Sequence, residues 1–218
     1  SAKGDAWQAQ LFVGSGTDTM AGNRSGQAVF TRGVAAGGFE IKNTGTSTLY
    51  ANVVLAGYPN TMPPAHSSGV SIARRFLDAR GEPVSAATAV SGDRFIVELT
   101  VRADKRMPHA LVVDMLPAGV ELEDPNLSGA FLIDDVVVDK KRIGDWHLAY
   151  TTAHTEYRDD RFVAALDIHR RQTCRIFYGV RVVSPGRFKV PSPMVEDMYR
   201  PYVRGVGKTI DVMDVTGS

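Results

Sequence analysis

Residues 156–207 read EYRDDRFVAALDIHRRQTCRIFYGVRVVSPGRFKVPSPMVEDMYRPYVRGVG, and the fold class turns on them. Phe162, Ala164, Leu166 and Ile168 alternate with Val163, Ala165, Asp167 and His169, the period of a strand that buries one face. In a second run Cys174, Ile176, Tyr178, Val180 and Val182 share a face, and Arg175 and Arg181 fall on the other. The polar residues 170–173 between the runs have the length of a hairpin connection, so the two runs are expected to pair as an antiparallel ribbon. Arg158, Asp159, Asp160 and Arg161 read as a structural charge network. By strand alternation Asp160 is expected inward beside Phe162, with at least one of the two acids held by an arginine or by backbone donors close to the Met198 segment. Pro191 and Pro193 remove donors, so residues 191–201 are expected to run along an edge as a stiff loop rather than as a central strand. Met194, Val195, Met198 and Tyr199 offer apolar area there, with Glu196, Asp197 and Arg200 as a charged rim.

The same two-residue period recurs upstream. Phe95, Val97, Leu99 and Val101 alternate with Arg94, Ile96, Glu98 and Thr100. Val70, Ile72 and Arg74 open a strand reaching Leu77. Residues 110–116 are a more continuously apolar run, broken only by Asp114, which suggests a central strand buried on both faces. Residues 121–141 lack a clear period and are expected to be irregular, with at most one short helix. Trp146, Leu148 and Tyr150 then alternate like a strand, and Ile210, Val212 and Val215 suggest a last one over 209–215.

Near the N-terminus, Trp7, Ala9, Leu11 and Val13 form a first strand, the Gly/Ser/Thr-rich 14–26 a flexible loop, and Phe39 and Ile41 a further strand. Asn43 to Thr46 reads as a turn into residues 48–57, where Leu49, Ala51, Val53 and Leu55 face one way. Residues 58–69, with three prolines and no strand period, are the interdomain linker. Two domains are expected, 1–62 and 63–218, in an all-β chain of antiparallel β-sandwiches.

With 218 residues, 44% of them hydrophobic and 22% charged, the chain has ordinary globular composition. At this size folding removes roughly 70–75% of the unfolded surface from water, so neither metal nor disulfide is needed to hold a core. The single cysteine, Cys174, sits at an inward position and reads as a buried, inert thiol. A net charge of +1 argues against nucleic acid as partner, and the densest basic group, Arg170, Arg171 and Arg175, is accounted for by a solvated hairpin tip. No apolar run is long enough to span a bilayer as a helix, and the first residues show no signal-peptide pattern. The chain is therefore read as cytoplasmic or as a piece of a longer secreted protein.

Chemistry is sparse. Residues 205–209, GVGKT, end like a phosphate-binding loop, but Tyr202 stands where its first glycine is required. His154, Glu156, Asp159 and Asp160 have no metal-ligand spacing, and no Gly-x-Ser-x-Gly elbow accompanies the scattered histidines His66, His109, His147, His154 and His169. Asp134 with Asp135, and Asp159 with Asp160, are neighbours whose side chains would diverge on a strand, which does not make an acid/base dyad. No active site, metal or cofactor is expected.

RDDRF (158–162), SPGRF (184–188) and EDMYRP (196–201), in that order, resemble the C-terminal end of bacterial alpha-2-macroglobulins. The similarity extends back through residues 111–127, LVVDMLPAGVELEDPNL, and 52–59, NVVLAGYP. The resemblance implies macroglobulin-like sandwiches, the second being the counterpart of a receptor-binding domain. It also implies a periplasmic protease-trapping parent, a host-defence mimic associated with virulence, with anchoring at the inner membrane as a lipoprotein the alternative to a free periplasmic form. Many members carry an internal thioester within Cys-x-Glu-Gln in an upstream domain; others lack it. Cys174 is followed by Arg175, Ile176 and Phe177 and is not that cysteine. What the family implies for this chain is a non-enzymatic scaffold whose partners are upstream domains of the same chain and, through the whole parent, target proteases or other periplasmic and inner-membrane proteins. Met198 and Tyr199, with Met194, Glu196, Asp197 and Arg200, are then the candidate contact that shields the thioester-type domain. An independent adhesion or carbohydrate-binding sandwich and a hydrolase assembled only by folding are the alternatives from other classes.

Overall fold

A computed structural model of the chain describes residues 7–13, 16–22, 26, 39–52, 54, 62–127, 129–147 and 151–217. It divides into two compact units, Ser1–Pro59 and Asn60–Ser218. In the first, β1 (Trp7–Val13) lies between β2 (Gly16–Gly22) and β3 (Phe39–Asn43), antiparallel to both. Residues 16–22 are thus a strand rather than part of a flexible loop. Thr17, Thr19 and Met20 suit a pleated surface, and β1 supplies the backbone partners. The turn after β3 forms as expected, Asn43 Oδ1 accepting from the Gly45 N–H at 3.0 Å. The expected strand over 48–57 does not form at 48–52, and Val53 and Leu55 lie outside the described residues, as do 27–31.

The second unit begins with β4 (His66–Ser68), β5 (Val70–Leu77), β6 (Pro83–Val84), β7 (Thr88–Val90), β8 (Arg94–Ala103) and β9 (Met107–Met115). It continues through β10 (Val120–Glu123), β11 (Val137–Val138), β12 (Lys141–Arg142) and a five-residue helix α1 (Ile143–His147). It ends with β13 (Thr151–Arg158), β14 (Arg161–Ile168), β15 (Thr173–Val182), β16 (Gly186–Lys189), β17 (Met194–Asp197), β18 (Arg200–Val206) and β19 (Val212–Thr216). A five-stranded sheet, β10-β15-β8-β5-β6, faces a six-stranded one, β13-β14-β9-β17-β18-β4. A small sheet, β16-β19-β7, contributes Val215 and Met213 to the same core. Within the linker stretch, residues 66–68 are the edge strand β4, paired with β18.

The two alternating runs around residue 170 do not pair with each other. β14 lies between β13 and β9, whereas β15 lies between β10 and β8 in the opposite sheet. Both runs bury one apolar face, and placing them in opposite sheets turns those faces toward each other, so the Phe162 and Tyr178 rings stack at 4.3 Å. Residues 169–172 change sheets, held by Arg171 N–H to the Ala103 carbonyl and by Gln172, whose N–H donates to the His169 carbonyl while its side-chain oxygen accepts from the His169 N–H.

One ion pair crosses the core. Arg74 of β5 points inward and meets Asp114 of β9 at 2.6 Å, and the Tyr178 hydroxyl donates to the other Asp114 oxygen, also at 2.6 Å. Arg74 also donates to the Pro191 carbonyl and to Thr209 Oγ1, whose hydroxyl donates to the Val190 carbonyl, so one guanidinium ties both sheets to the C-terminal connections. Burial raises the Asp114 pKa above its ordinary value, outweighing Arg74 and Tyr178.

The outer faces of the two sheets differ. That of the five-stranded sheet is roofed by residues 131–146: Ile133, Val138 and Ile143 close over Leu77, Ile96 and Phe177 in a second apolar cluster. Glu98, also beneath the roof, is gripped by Arg75 and Arg175 at 2.5 Å each, and both arginines reach on to Asp139. Trp146 belongs to α1 rather than to a strand, and its indole covers the Arg175 guanidinium at 4.3 Å. The six-stranded sheet has no such cover among the described residues. Val163, Val113, Met194 and Val206 stand side by side on its outer face in consecutive registers. The run 110–116 is therefore central, yet buried on one side alone, with Leu111 and Val113 half-buried and Met115 exposed.

Candidate functional site

The segment 194–200 is not an edge loop. β17 is an interior strand between β9 and β18, and its two prolines lie just before it, where neither must donate to a ladder. Pro201 falls in a bulge: Glu196 pairs with Arg204 but Asp197 pairs with Arg200, so 201–203 carry the extra length. Met198 and Tyr199 form the two-residue turn between Asp197 and Arg200.

That turn is braced from beneath. Asp197 is 2% exposed; one carboxylate oxygen accepts from the Tyr199 and Arg200 N–H groups at 3.0 Å each. The other accepts from Arg200 Nε and a terminal guanidinium nitrogen at 2.9 and 2.6 Å. Burial pushes the Asp197 pKa up, but the Arg200 guanidinium and the two backbone donors together take it below the ordinary aspartate value. The Met198 N–H donates to the His109 carbonyl at 3.0 Å, and the His109 and Tyr199 rings meet edge to face at 4.8 Å. The side chains so held point outward, Met198 being 47% and Tyr199 75% exposed.

Asp197 and Arg200 are thus engaged with each other and with the turn backbone, not offered to a partner as rim charges. Glu196 and Met194 lie on the outer face of the open sheet, Met194 in the apolar row with Val113. Sequence reasoning missed the brace, although an aspartate followed at two and three positions by residues of a tight turn is the signature of a side chain that caps backbone N–H groups. It also missed His109, which no local pattern connects to residue 199.

The 158–161 group lies elsewhere and is exposed. Asp159 and Asp160 are the turn between Arg158 and Arg161, which pair in the β13–β14 register, so strand alternation begins only at Arg161 and Asp160 does not point inward. Asp160 pairs with Arg161 at 2.6 Å and Arg158 with Glu156 at 2.6 Å. The Asp160 carbonyl accepts from the Leu116 N–H, beyond the far end of β9 from His109, so this turn is not near Met198. Cys174 is buried with no cation beside it among the described residues to stabilise a thiolate, and burial pushes its thiol pKa up to about 11. Among the described residues no three His, Cys, Asp or Glu side chains converge on a possible metal position.

The family model of the bacterial alpha-2-macroglobulin MG10 domain matches residues 69–201, and that of the A2MG CUB domain matches residues 5–69. An alpha-2-macroglobulin of Xylella fastidiosa is 36% identical over 203 residues, 93% of this chain and 12% of that protein. The Escherichia coli K12 alpha-2-macroglobulin is 36% identical over 177 residues, 81% of this chain and 11% of that protein. Crystal structures of Salmonella alpha-2-macroglobulin reacted with methylamine and of native Escherichia coli alpha-2-macroglobulin from domain MG7 to the C-terminus superpose with TM-scores of 0.76 and 0.72. The first is 31% identical, covering 99% of this chain and 13% of that one; the second is 29% identical, covering 96% and 33%.

Proposed function

Because the chain belongs to the bacterial alpha-2-macroglobulins, with MG10-type residues 69–201 preceded by CUB-type residues, we propose that it is a non-catalytic scaffold of a protease-trapping parent. In this reading the Met198–Tyr199 turn covers the upstream thioester-type domain and leaves it when the parent is activated. The observation that carries the reading is the brace. Two large side chains, roughly half and three-quarters exposed, are held on a turn fixed by Asp197, Arg200 and His109. Apolar groups kept outward and rigid lose little entropy on docking. An internal thioester persists in water only where nucleophiles are excluded, which a methionine and a tyrosine ring suit.

A relative has been studied after reaction with methylamine, and the same amine supplies the test. In the full-length parent, Met198→Ala with Tyr199→Ala is expected to speed methylamine-induced release of a free thiol where a Cys-x-Glu-Gln motif is present. Where it is absent, the same change is expected to loosen the domains in small-angle scattering. Unchanged release, or an unchanged profile in the motif-less case, removes the covering role. The same reading puts the parent in the periplasm, to be checked by fractionation of the source cells.

A further inference from the structure

The Met198–Tyr199 turn belongs to a larger surface. At the same end of the sandwich lie the turn after β8, with Lys105 and Arg106, and the sheet-changing turn with Arg170 and Arg171. Bonds join these turns to one another. The Arg171 N–H reaches the Ala103 carbonyl, Arg106 reaches Asp167 at 3.0 Å, Arg200 reaches the Arg106 carbonyl at 3.4 Å, and the Met198 N–H reaches the His109 carbonyl. Charge is handled differently at the two ends. At the opposite end the exposed Arg80, Arg158, Arg161 and Arg181 each stand within ion-pair distance of an acid of the chain. At this end Asp167 and Asp197 are taken up by Arg106 and Arg200. Arg102, Lys105, Arg170 and Arg171 are exposed and make no ion pair among the described residues, although Asp104, also exposed, lies in the same turn as Lys105. A net charge of +1 conceals this asymmetry.

We propose that the turns 104–106, 169–172 and 198–199 are one docking surface, a cationic rim around the Met198–Tyr199 centre, and that its partner is an acidic protein surface on another domain of the parent. The proposal rests on the covering role above and adds the chemistry of what is covered. An apolar centre with a charged rim is the anatomy of a protein contact rather than of a purely electrostatic one. Exposed charge pairs are individually weak, but between domains of one chain the effective concentration is high enough for a few to set orientation.

The test uses the full-length parent. Acylation of Lys105 and hydroxyl-radical labelling of Met198 and Tyr199 are read by mass spectrometry at about 0.1 M and about 1 M salt, which shortens the screening length from roughly 10 to 3 Å. Labelling at all three is expected to rise with salt. Arg170→Glu with Arg171→Glu is expected to raise it roughly three- to tenfold at low salt, the loss of two or three exposed pairs, whereas Arg80→Glu at the far end leaves it unchanged. Met198 and Tyr199 protected but indifferent to salt and to charge reversal would overturn the cationic rim while sparing the covering role. Labelling of both at every salt as strong as in the urea-unfolded parent would defeat the two together. Sedimentation with anionic phosphatidylglycerol vesicles that is abolished by Arg170→Glu with Arg171→Glu, without salt-sensitive protection in their absence, would assign the surface to lipid and overturn the protein partner.

Discussion

Asp114 and Asp197 are both buried carboxylates facing arginines, and they respond to pH with opposite sign. The folded pKa of Asp197 lies below 3.8, so its contribution to stability is present above that value and is lost as pH falls through the folded one. Asp197→Asn is expected to lower the thermal midpoint at neutral pH, with the difference from the unmodified chain shrinking between about pH 5 and pH 2, as melting curves across that range would show. Asp114 is raised above 3.8 by burial, so its contribution is full below that value and declines as pH rises through the folded one. Removing it outright is a different matter, because Arg74 is left in the core without its counter-charge. Asp114→Ala is expected to cost about 3–5 kcal/mol in denaturant unfolding. Asp160, exposed on its turn, is the contrast: Asp160→Ala is expected to leave the denaturation midpoint unmoved. Cys174, with its thiol pushed up to about 11, is expected to resist a thiol-specific reagent at pH 8 until the chain is unfolded.

At the scale of elements, the strands with strict alternation were legible as strands. β8, β14 and β15 each carry apolar residues at every second position, and β5 does so except where Arg74 points inward, and that period is a property of the pleat itself. Which strand sits beside which was not legible, because register and sheet membership depend on faces that only meet in three dimensions. The short connection at 169–172 fits a hairpin and a sheet change equally well, and the opposed apolar faces of Phe162 and Tyr178 decide between them. In the candidate site the exposed Met198 and Tyr199 were legible, whereas the roles of Asp197 and His109 follow from a turn and a neighbouring strand. Close approach of backbones was equally invisible. β18 crosses β5 so tightly that a Cβ on Gly205 would stand 2.6 Å from the Val70 carbonyl oxygen, and one on Gly207 2.8 Å from that of Ile72. Since backbone cannot swing aside as a flexible side chain can, Gly205→Ala is expected to cost about 1–3 kcal/mol, read from the urea midpoint.

For the whole molecule, the change of sheet at 169–172 bears on how fast the native state is reached. Ile168 leaves one sheet and Thr173 enters the other, so these successive strands are never partners. Their native contacts join residues far apart in the chain, Glu98 with Arg175 across 77 positions and Asp114 with Tyr178 across 64. Loop closure on that scale precedes any reward from pairing, which places such topologies among the slower folders, in milliseconds to seconds. Meanwhile two alternating runs joined by four polar residues can zip locally within about 1–10 μs into a hairpin absent from the native fold. Replacing Arg170 by Asn and Arg171 by Gly would favour that hairpin. In stopped-flow refolding it is expected to slow the folding limb at low denaturant and bend it over, with the unfolding limb little changed. Refolding as fast as that of the unmodified chain would mean that the local ribbon never competes, and that the long-range pairs form before residues 161–182 have time to close on themselves.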